Sequence, residues 1–202
     1  TPPEDWEVYR AIDFGYRNPF VCQWWALEPG MLDKARAVMF REIYKSETLV
    51  EDHVPRIKSL SNNLDVVDTI ADHDAENHAK LKREEIHTQN AKKDVEAGIQ
   101  SVKARLAPDA EGSPQLYFME GARIHEPDTR LDMDSNPTST IEELPAYKWK
   151  DGDEEEPEKE HDHGVDAMRY FVHTIFGGVE ITQEELEEWE DLWNEDEGEG
   201  LW

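Results

Sequence analysis

The chain has 202 residues, which is enough for one hydrophobic core and too few for two full-sized domains. It carries 48 acidic and 21 basic residues, a formal net charge of −27, and 37% of its residues are hydrophobic. Its single cysteine, Cys22, excludes an intrachain disulfide and a cysteine-rich metal site. The sequence contains no signal peptide and no apolar run of membrane-spanning length, so we expect an intracellular protein without membrane contact.

The negative charge is concentrated in two segments. Residues 151–163 carry a net charge of −7 and residues 180–202 carry −11, which leaves −9 for the rest of the chain. Such runs are typical of solvated, mobile chain, and a halophilic protein surface is an alternative explanation. The second run also contains an apolar stripe that includes Trp189 and Trp193, which suggests a docking segment.

Strand and helix patterns alternate along the chain in an order typical of a mixed α/β protein. Strands are predicted over residues 7–14, 20–27, 36–44, 66–72 and 115–120, with a short extended piece at 86–89. Helices are predicted after a capping box formed by Thr48 and Glu51, and over 76–85, 92–106, 140–147 and 164–176. The third strand pattern also allows a helix, and Pro55 interrupts the first helix. Short connections favour an antiparallel meander of the first three strands, and residues 121–137 are predicted to be loop.

Three aspartates stand at the ends of apolar elements. Asp13 ends the first strand, Asp72 ends the strand VVDTIAD, and Asp166 lies near the start of the final helix. A buried charge there costs free energy unless it is paired or bound to a metal, although each aspartate alone also fits a turn or capping role. Three carboxylates meeting at one point would bind Mg²⁺ or Mn²⁺, and two such ions are what phosphodiester hydrolysis requires.

Asp74 and His163 are further candidate metal ligands. Asp74 would share a face with Asp72 if the strand continued, but it fits equally well as the N-cap of the next helix. His163 lies one helical turn before Asp166 and is placed to position water or to contact a phosphate. Arg169, three residues after Asp166, is expected to form an ion pair with a buried acid.

Contact with DNA needs basic residues, which are most concentrated between residues 80 and 105. Lys92 and Lys93 stand at the start of a predicted helix, where the helix dipole disfavours cations, so we expect them to contact phosphates. Lys80 and Arg17 are further candidates. With so few bases, we expect weak, nonspecific and salt-sensitive binding of double-stranded DNA.

Four segments, AIDFGYRNPF, TIADHDAENHAKLKREEIH, KKDVEAGIQSVKARL and DHGVDAMRY, together resemble the nuclease domain of the large terminase subunit of tailed bacteriophages. The resemblance covers about residues 7–177. It implies a ribonuclease-H-like α/β fold, with a mixed central sheet flanked by helices. It also implies two divalent metal ions, Mg²⁺ or Mn²⁺, held by Asp13, Asp72 and Asp166, with His163 at a position where the family often has histidine.

The same resemblance implies an endonuclease that cuts concatemeric viral DNA during genome packaging in the host cytoplasm. No glycine precedes a lysine, so the phosphate-binding loop of an ATPase motor is absent from the sequence. We therefore expect a nuclease domain over residues 1–178 and an acidic tail over 179–202, excised from a terminase whose motor is its partner. The tail would contact the portal or the small terminase subunit. A resolvase of the same superfold acting on branched DNA, and a non-catalytic acidic docking module, are the alternatives.

Overall fold

The computed structural model describes residues 2–109, 112–146 and 161–177. Most of the predicted acidic loop at 151–163 lies outside the described residues. The predicted tail at 179–202, with its docking stripe, lies outside them as well.

One six-stranded mixed sheet forms the centre of the fold. Its strands are β1 (Glu7–Asp13), β2 (Phe20–Leu27), β3 (Ala37–Lys45), β4 (Val66–Ala71), β5 (Gln89–Asn90) and β6 (Leu116–Phe118). They lie in the order β5-β4-β1-β2-β3-β6. The antiparallel meander of β1, β2 and β3 is confirmed, and the third strand pattern is resolved as a strand. Parallel pairing joins β4 to β1, β5 to β4 and β6 to β3.

Helices cover both faces of this sheet. They are α1 (Val50–Ser61), α2 (Ala75–Arg83), α3 (Val95–Leu106), α4 (Thr129–Met133), α5 (Thr140–Glu143) and α6 (His163–Phe176), with a 3-10 turn at Leu144–Ala146. One core includes Trp25 of β2 and Phe171 of α6, whose rings stack with centroids 4.9 Å apart. A second core on the other face joins Trp24 of β2 to Ile57 of α1 and Leu81 of α2. All eight residues of β2 are buried because the strand is covered on both faces.

Local details differ from the sequence predictions in several places. The predicted capping box is wrong: Leu49 is the N-cap of α1 without a side-chain bond, and the Thr48 hydroxyl donates to the Ser46 carbonyl. Pro55 does not break α1, because it lies on the exposed face where solvent can bond the carbonyl it leaves free. The segment predicted as loop contains the short helix α4, whose N-cap is Asp128.

The topology places the ends of β1 and β4 side by side. These neighbouring strands are parallel, with Ile12 opposite Ala71, so the residues that follow them emerge at one edge of the sheet. Helix α6 packs across β1, β2 and β4, and its first turn lies at that same edge. None of the described helices is long and apolar enough to cross a membrane.

Candidate active site

The structure brings the three predicted aspartates to this one edge. Asp13 is the last residue of β1, and Asp72 is the first residue after β4. The Asp72 N–H donates to the Ile12 carbonyl over 3.1 Å, which fixes the two strand ends beside each other. Asp166 is in the first turn of α6. The carboxylates therefore come from three separate elements, as the sequence predicts.

Asp13 and His163 are in direct contact. His163 Nδ1 lies 2.9 Å from Asp13 Oδ2, and the Asp13 residue is only 7% exposed. Burial raises the pKa of Asp13 to about 6, although its hydrogen bond with His163 acts in the opposite direction. Burial alone would lower the pKa of His163, but the Asp13 carboxylate raises it above its ordinary value. Asp13 is therefore protonated more readily than an ordinary aspartate, and the His163 ring is protonated more readily than an ordinary histidine.

Asp72 is paired with Lys93, which precedes α3. Lys93 Nζ lies 2.6 Å from Asp72 Oδ1, and both side chains are partly exposed. Burial alone would raise the pKa of Asp72, but the Lys93 ammonium and the His73 N–H together hold it below its ordinary value. Asp72 is therefore the carboxylate of the three that stays ionised most readily, and it faces solvent more than Asp13 does.

Asp166 is paired within its own helix. Arg169 Nη2 donates to Asp166 Oδ1 over 2.8 Å, as predicted for this arginine, and the Tyr170 hydroxyl lies 3.5 Å from Asp166 Oδ2. Burial raises the pKa of Asp166 even though Arg169 opposes the shift. Gly98 of α3 allows the arginine to lie here, because a Cβ at that position would meet the Arg169 side chain at 2.8 Å.

The Asp13 carboxylate is repelled by the other two carboxylates. After burial, the charges of Asp166 and Asp72 add to the factors that raise the pKa of Asp13. Burial also raises the pKa of Tyr170, and all three aspartates raise it further, so its hydroxyl lies in their common field. Oxygen-only donors that repel one another in a partly buried site fit a hard divalent cation, which would relieve the repulsion.

No closed metal cage is formed, however. Within residues 2–109, 112–146 and 161–177, no three side chains of His, Cys, Asp or Glu converge as a ready-made ligand set. Each aspartate instead contacts a cationic side chain, namely His163, Lys93 or Arg169. Mg²⁺ usually keeps several waters and takes only one or two carboxylates from the protein. The donor set therefore fits such an ion, which would take the place of the Lys93 ammonium beside Asp72.

Asp74 lies beside the cluster but is used elsewhere. It is the N-cap of α2, where Oδ1 accepts from the Asn77 N–H over 2.9 Å and Oδ2 accepts from Asn77 Nδ2 over 3.0 Å. The capping role is thus confirmed. Both carboxylate oxygens of Asp74 are engaged, whereas Asp72 directly follows the strand beside Asp13.

The four predicted DNA contacts are spread around the site. Lys93 contacts Asp72, whereas neighbouring Lys92 is exposed and its N–H donates to Thr174 of α6. Arg17 is exposed in the β1–β2 loop. Lys80 lies between Glu76, at 2.9 Å, and Glu51, at 3.5 Å. Acidic partners therefore compete with DNA for Lys80 more than for Arg17, which forms no ion pair with another described residue.

A buried network that the sequence analysis did not identify holds the start of α6. The Val165 N–H donates to Glu143 Oε2 over 2.8 Å, and the Tyr44 hydroxyl donates to Glu143 Oε1 over 2.5 Å. Burial raises the pKa of Glu143 to about 8. A Cβ on Gly164 would collide with Thr140 and Glu143, so only glycine allows α6 to approach α5 this closely.

Glu42 and Gln23 extend this network into the sheet. Glu42 accepts from the Thr140 N–H and hydroxyl, while Gln23 Nε2 donates to Thr140 Oγ1 over 2.6 Å and to the Gly164 carbonyl over 2.8 Å. Burial raises the pKa of Glu42 to about 7. The only sequence signal was a lone acid within the apolar strand AVMFREIYK. The network fixes the backbone between His163 and Asp166, and so fixes where both side chains begin.

Solved structures share this fold, although no protein-family model and no curated protein sequence matches the chain. The nuclease domain of the P22 large terminase matches with a TM-score of 0.62 and 18% identity, over 87% of this chain and 85% of that domain. The large terminase nuclease from the thermophilic phage G20c, solved with bound zinc, matches with a TM-score of 0.51 and 14% identity, over 85% of this chain and 82% of that one.

A longer protein matches as well. The large terminase of another thermophilic bacteriophage, solved in complex with ADP, has a TM-score of 0.66 and 22% identity, over 86% of this chain and 41% of that chain. The chain thus spans about two fifths of that longer terminase. At these identities the similarity concerns the fold: the chain has the ribonuclease-H-like fold of large terminase nuclease domains, which confirms the predicted fold and the resemblance.

Proposed function

We propose that this chain is a divalent-metal-dependent endodeoxyribonuclease that cuts concatemeric double-stranded DNA during packaging of a bacteriophage genome. The observation that carries the proposal is the meeting of Asp13, Asp72 and Asp166 at one sheet edge. The fold, shared with the nuclease domain of the P22 large terminase, supports the same function. The charges of Asp166 and Asp72 add to the burial that raises the pKa of Asp13, which indicates a site that gains stability from a cation.

Asp13, Asp72 and Asp166 are the proposed ligands of two divalent cations, Mg²⁺ or Mn²⁺. When bound, such ions supply an activated water and neutralise charge on the phosphate. His163 orients Asp13 through Nδ1, which leaves Nε2 as a second donor when the ring is protonated. Lys93, released from Asp72, would be a cation within reach of a phosphate at the same edge. Arg169 keeps Asp166 oriented from within α6.

The same proposal also assigns the partners, the substrate and the place of action. The chain corresponds to about two fifths of the ADP-bound large terminase, so we infer that it acts joined to an ATPase motor that moves the DNA. Its substrate would be double-stranded DNA bound without sequence preference. Residues 179–202 would contact the portal or the small terminase subunit, and the host cytoplasm would be the place of action.

Cleavage of supercoiled plasmid tests this function. The expected result is nicking followed by linearisation with Mn²⁺ or Mg²⁺ and no cutting with EDTA. A four-way junction assayed beside a linear duplex of the same sequence separates the proposal from a resolvase, which would cut the junction at fixed positions. Absence of cutting by folded protein with either metal would remove the nuclease assignment and leave the docking module.

A further inference from the structure

A cavity of about 260 Å³ opens beside the carboxylate cluster. Four separate segments line it: the β1–β2 loop, Tyr44 of β3, α4 with the residues that follow it, and the residues at the start of α6. Its polar lining includes Arg17, Asn18, Arg130, Asn136, His161 and His163. The proposed nuclease function gives a role to His163 alone among these residues, and Arg17 is a predicted DNA contact.

The lining is cationic in a strongly acidic protein. Two arginines and two histidines face this cavity, against a single acid, the exposed Asp134. Arg130 Nη1 lies 3.3 Å from the Arg17 carbonyl, which ties the two arginine segments together. Its ion pair with Glu47 is at the surface, where the glutamate side chain is 58% exposed and solvent weakens the attraction. A net charge of −27 over the whole chain makes this concentration of positive charge a selective place for an anion.

His163 belongs to both sites. Its Nδ1 contacts Asp13, and the same residue lines the cavity. A DNA strand with its scissile phosphate at the carboxylates would bring an adjacent phosphate to the His163 side, where Arg17 and Arg130 line the cavity. Arginine is the side chain best suited to bind phosphate through two parallel hydrogen bonds.

The surroundings of Asp74 at the start of α2 have a different character. A second cavity, of about 300 Å³, is lined by the other half of the β1–β2 loop and by α1 and α2. Its charged lining is Glu51, Asp74 and Lys80, and the lysine forms exposed ion pairs with Glu51 and Glu76. Two acids against one base disfavour a phosphate there. The electrostatic contact with the strand should therefore be one-sided.

We propose that the cavity lined by Arg17 and Arg130 binds a backbone phosphate of the cut DNA strand, on one side of the scissile phosphate. This inference rests on the proposed nuclease function and adds to it the direction in which the strand runs across the site. Arg17 and Arg130 are the phosphate ligands, and His163 links the subsite to the carboxylates.

A neutral backbone linkage reveals such a subsite even when cutting is nonspecific. End-labelled duplexes carry one methylphosphonate, and the cleavage ladder is mapped in Mn²⁺. The wild type should not cut at the neutral linkage itself. It should also fail to cut at one other position, a fixed distance to one side, because cutting there would place the neutral linkage in the cavity instead of a charged phosphate. In the double variant Arg17→Gln and Arg130→Gln, that second position should be cut as in unmodified DNA. Arg36→Gln is the matched control, since Arg36 pairs with Glu28 at the other end of the sheet.

The double variant should also raise KM for unmodified duplex with kcat unchanged, and lower the slope of log KM against log salt by about 1. The other possible results contradict different parts of the proposal. A ladder with no second spared position, or one that the double variant still shows, overturns the subsite while leaving the nuclease intact. Sparing caused by a methylphosphonate in the complementary strand overturns the assignment to the cut strand. A wild type that cuts nothing removes the nuclease function, and the subsite with it.

Discussion

His163 contacts Asp13 across a separation of 150 residues, with Nδ1 lying 2.9 Å from Oδ2. This contact joins the end of β1 to the start of α6, so Asp166, three residues along the helix, is held at the same edge of the sheet without a metal. Lys93 on Asp72 and Arg169 on Asp166 complete the set of cationic partners. Divalent ions would have to displace Lys93 from Asp72, and the consequences can be measured.

Metal binding should stabilise the folded chain in the absence of DNA. Mn²⁺ at about 100 times its dissociation constant adds about 2.7 kcal/mol to the free energy of unfolding. Thermal unfolding of the wild type should therefore shift upward with Mn²⁺, whereas Asp13→Asn should show little shift. Na⁺ at matched ionic strength is the control for screening. An equal shift in Asp13→Asn would place the ions elsewhere.

Replacing Lys93 should separate metal binding from DNA binding. Lys93→Met removes the competitor for Asp72, so the Mn²⁺ concentration for half-maximal cutting should fall. The same change removes a cation near the DNA, so KM for duplex should rise. Lys92→Met, which changes the adjacent exposed lysine, should leave the metal concentration unchanged. A higher metal requirement in Lys93→Met would mean that the lysine supports the site instead of competing for it.

Asp72 and Asp74, two residues apart, should respond differently to the same substitution. Asp72→Asn should lose cutting by more than about 100-fold, since even partners that only orient metal ligands are worth about 10–100-fold. Asp74→Asn should retain most cutting, because asparagine is also a good N-cap, and Asp74→Ala should lose about 0.5–2 kcal/mol of stability. Cleavage rates and urea unfolding measured on the three variants distinguish the roles. Loss of cutting in Asp74→Asn with retained stability would make Asp74 a ligand.

The buried glutamates should make the metal-free protein less stable as pH rises. Burial raises the pKa of Glu143 to about 8 and of Glu42 to about 7, both above the ordinary value of 4.5. The folded chain therefore holds protons that the unfolded chain releases between about pH 4.5 and 8, so the free energy of unfolding falls across that range. The raised pKa of His163 acts in the same direction, because its contribution is lost as pH rises. The lowered pKa values of His53, His125 and His173 act against it up to about pH 7, so the glutamates decide the sign above that pH.

This pH dependence can be assigned by substitution. Thermal unfolding should occur at a lower temperature at pH 8 than at pH 6, by a few degrees if about 1 kcal/mol is lost in a chain of this size. Glu143→Gln, which cannot ionise, should flatten the profile, and Glu120→Gln, at an exposed position, should leave it unchanged. A wild-type profile that rises from pH 6 to pH 8 would contradict the assignment.

The sequence predicted those parts of the fold that depend on local patterns. The strands of the meander and helix α6 follow apolar runs and periodic faces, and Asp13, Asp72 and Asp166 stand where those patterns end. The predicted start of α3 was three residues early, because the Asp94 side chain caps the helix at the Ala97 N–H.

The supporting contacts could not be predicted because they are nonlocal. Gln23 reaches Thr140 across 117 residues and Glu42 reaches it across 98. The residues around the cationic cavity likewise come from four separate segments. Hydrophobic periodicity carries no information about such pairs, since they depend on how the elements pack after folding.

The most direct test compares plasmid cleavage by the wild type and Asp13→Asn in Mn²⁺, with EDTA as the metal-free control. Asparagine keeps the size of the buried side chain, so circular dichroism should show both proteins folded. The account predicts metal-dependent cutting by the wild type and a loss of more than about 100-fold in the variant. Equal cutting by the two folded proteins would show that the edge formed by β1, β4 and α6 is not the site of chemistry.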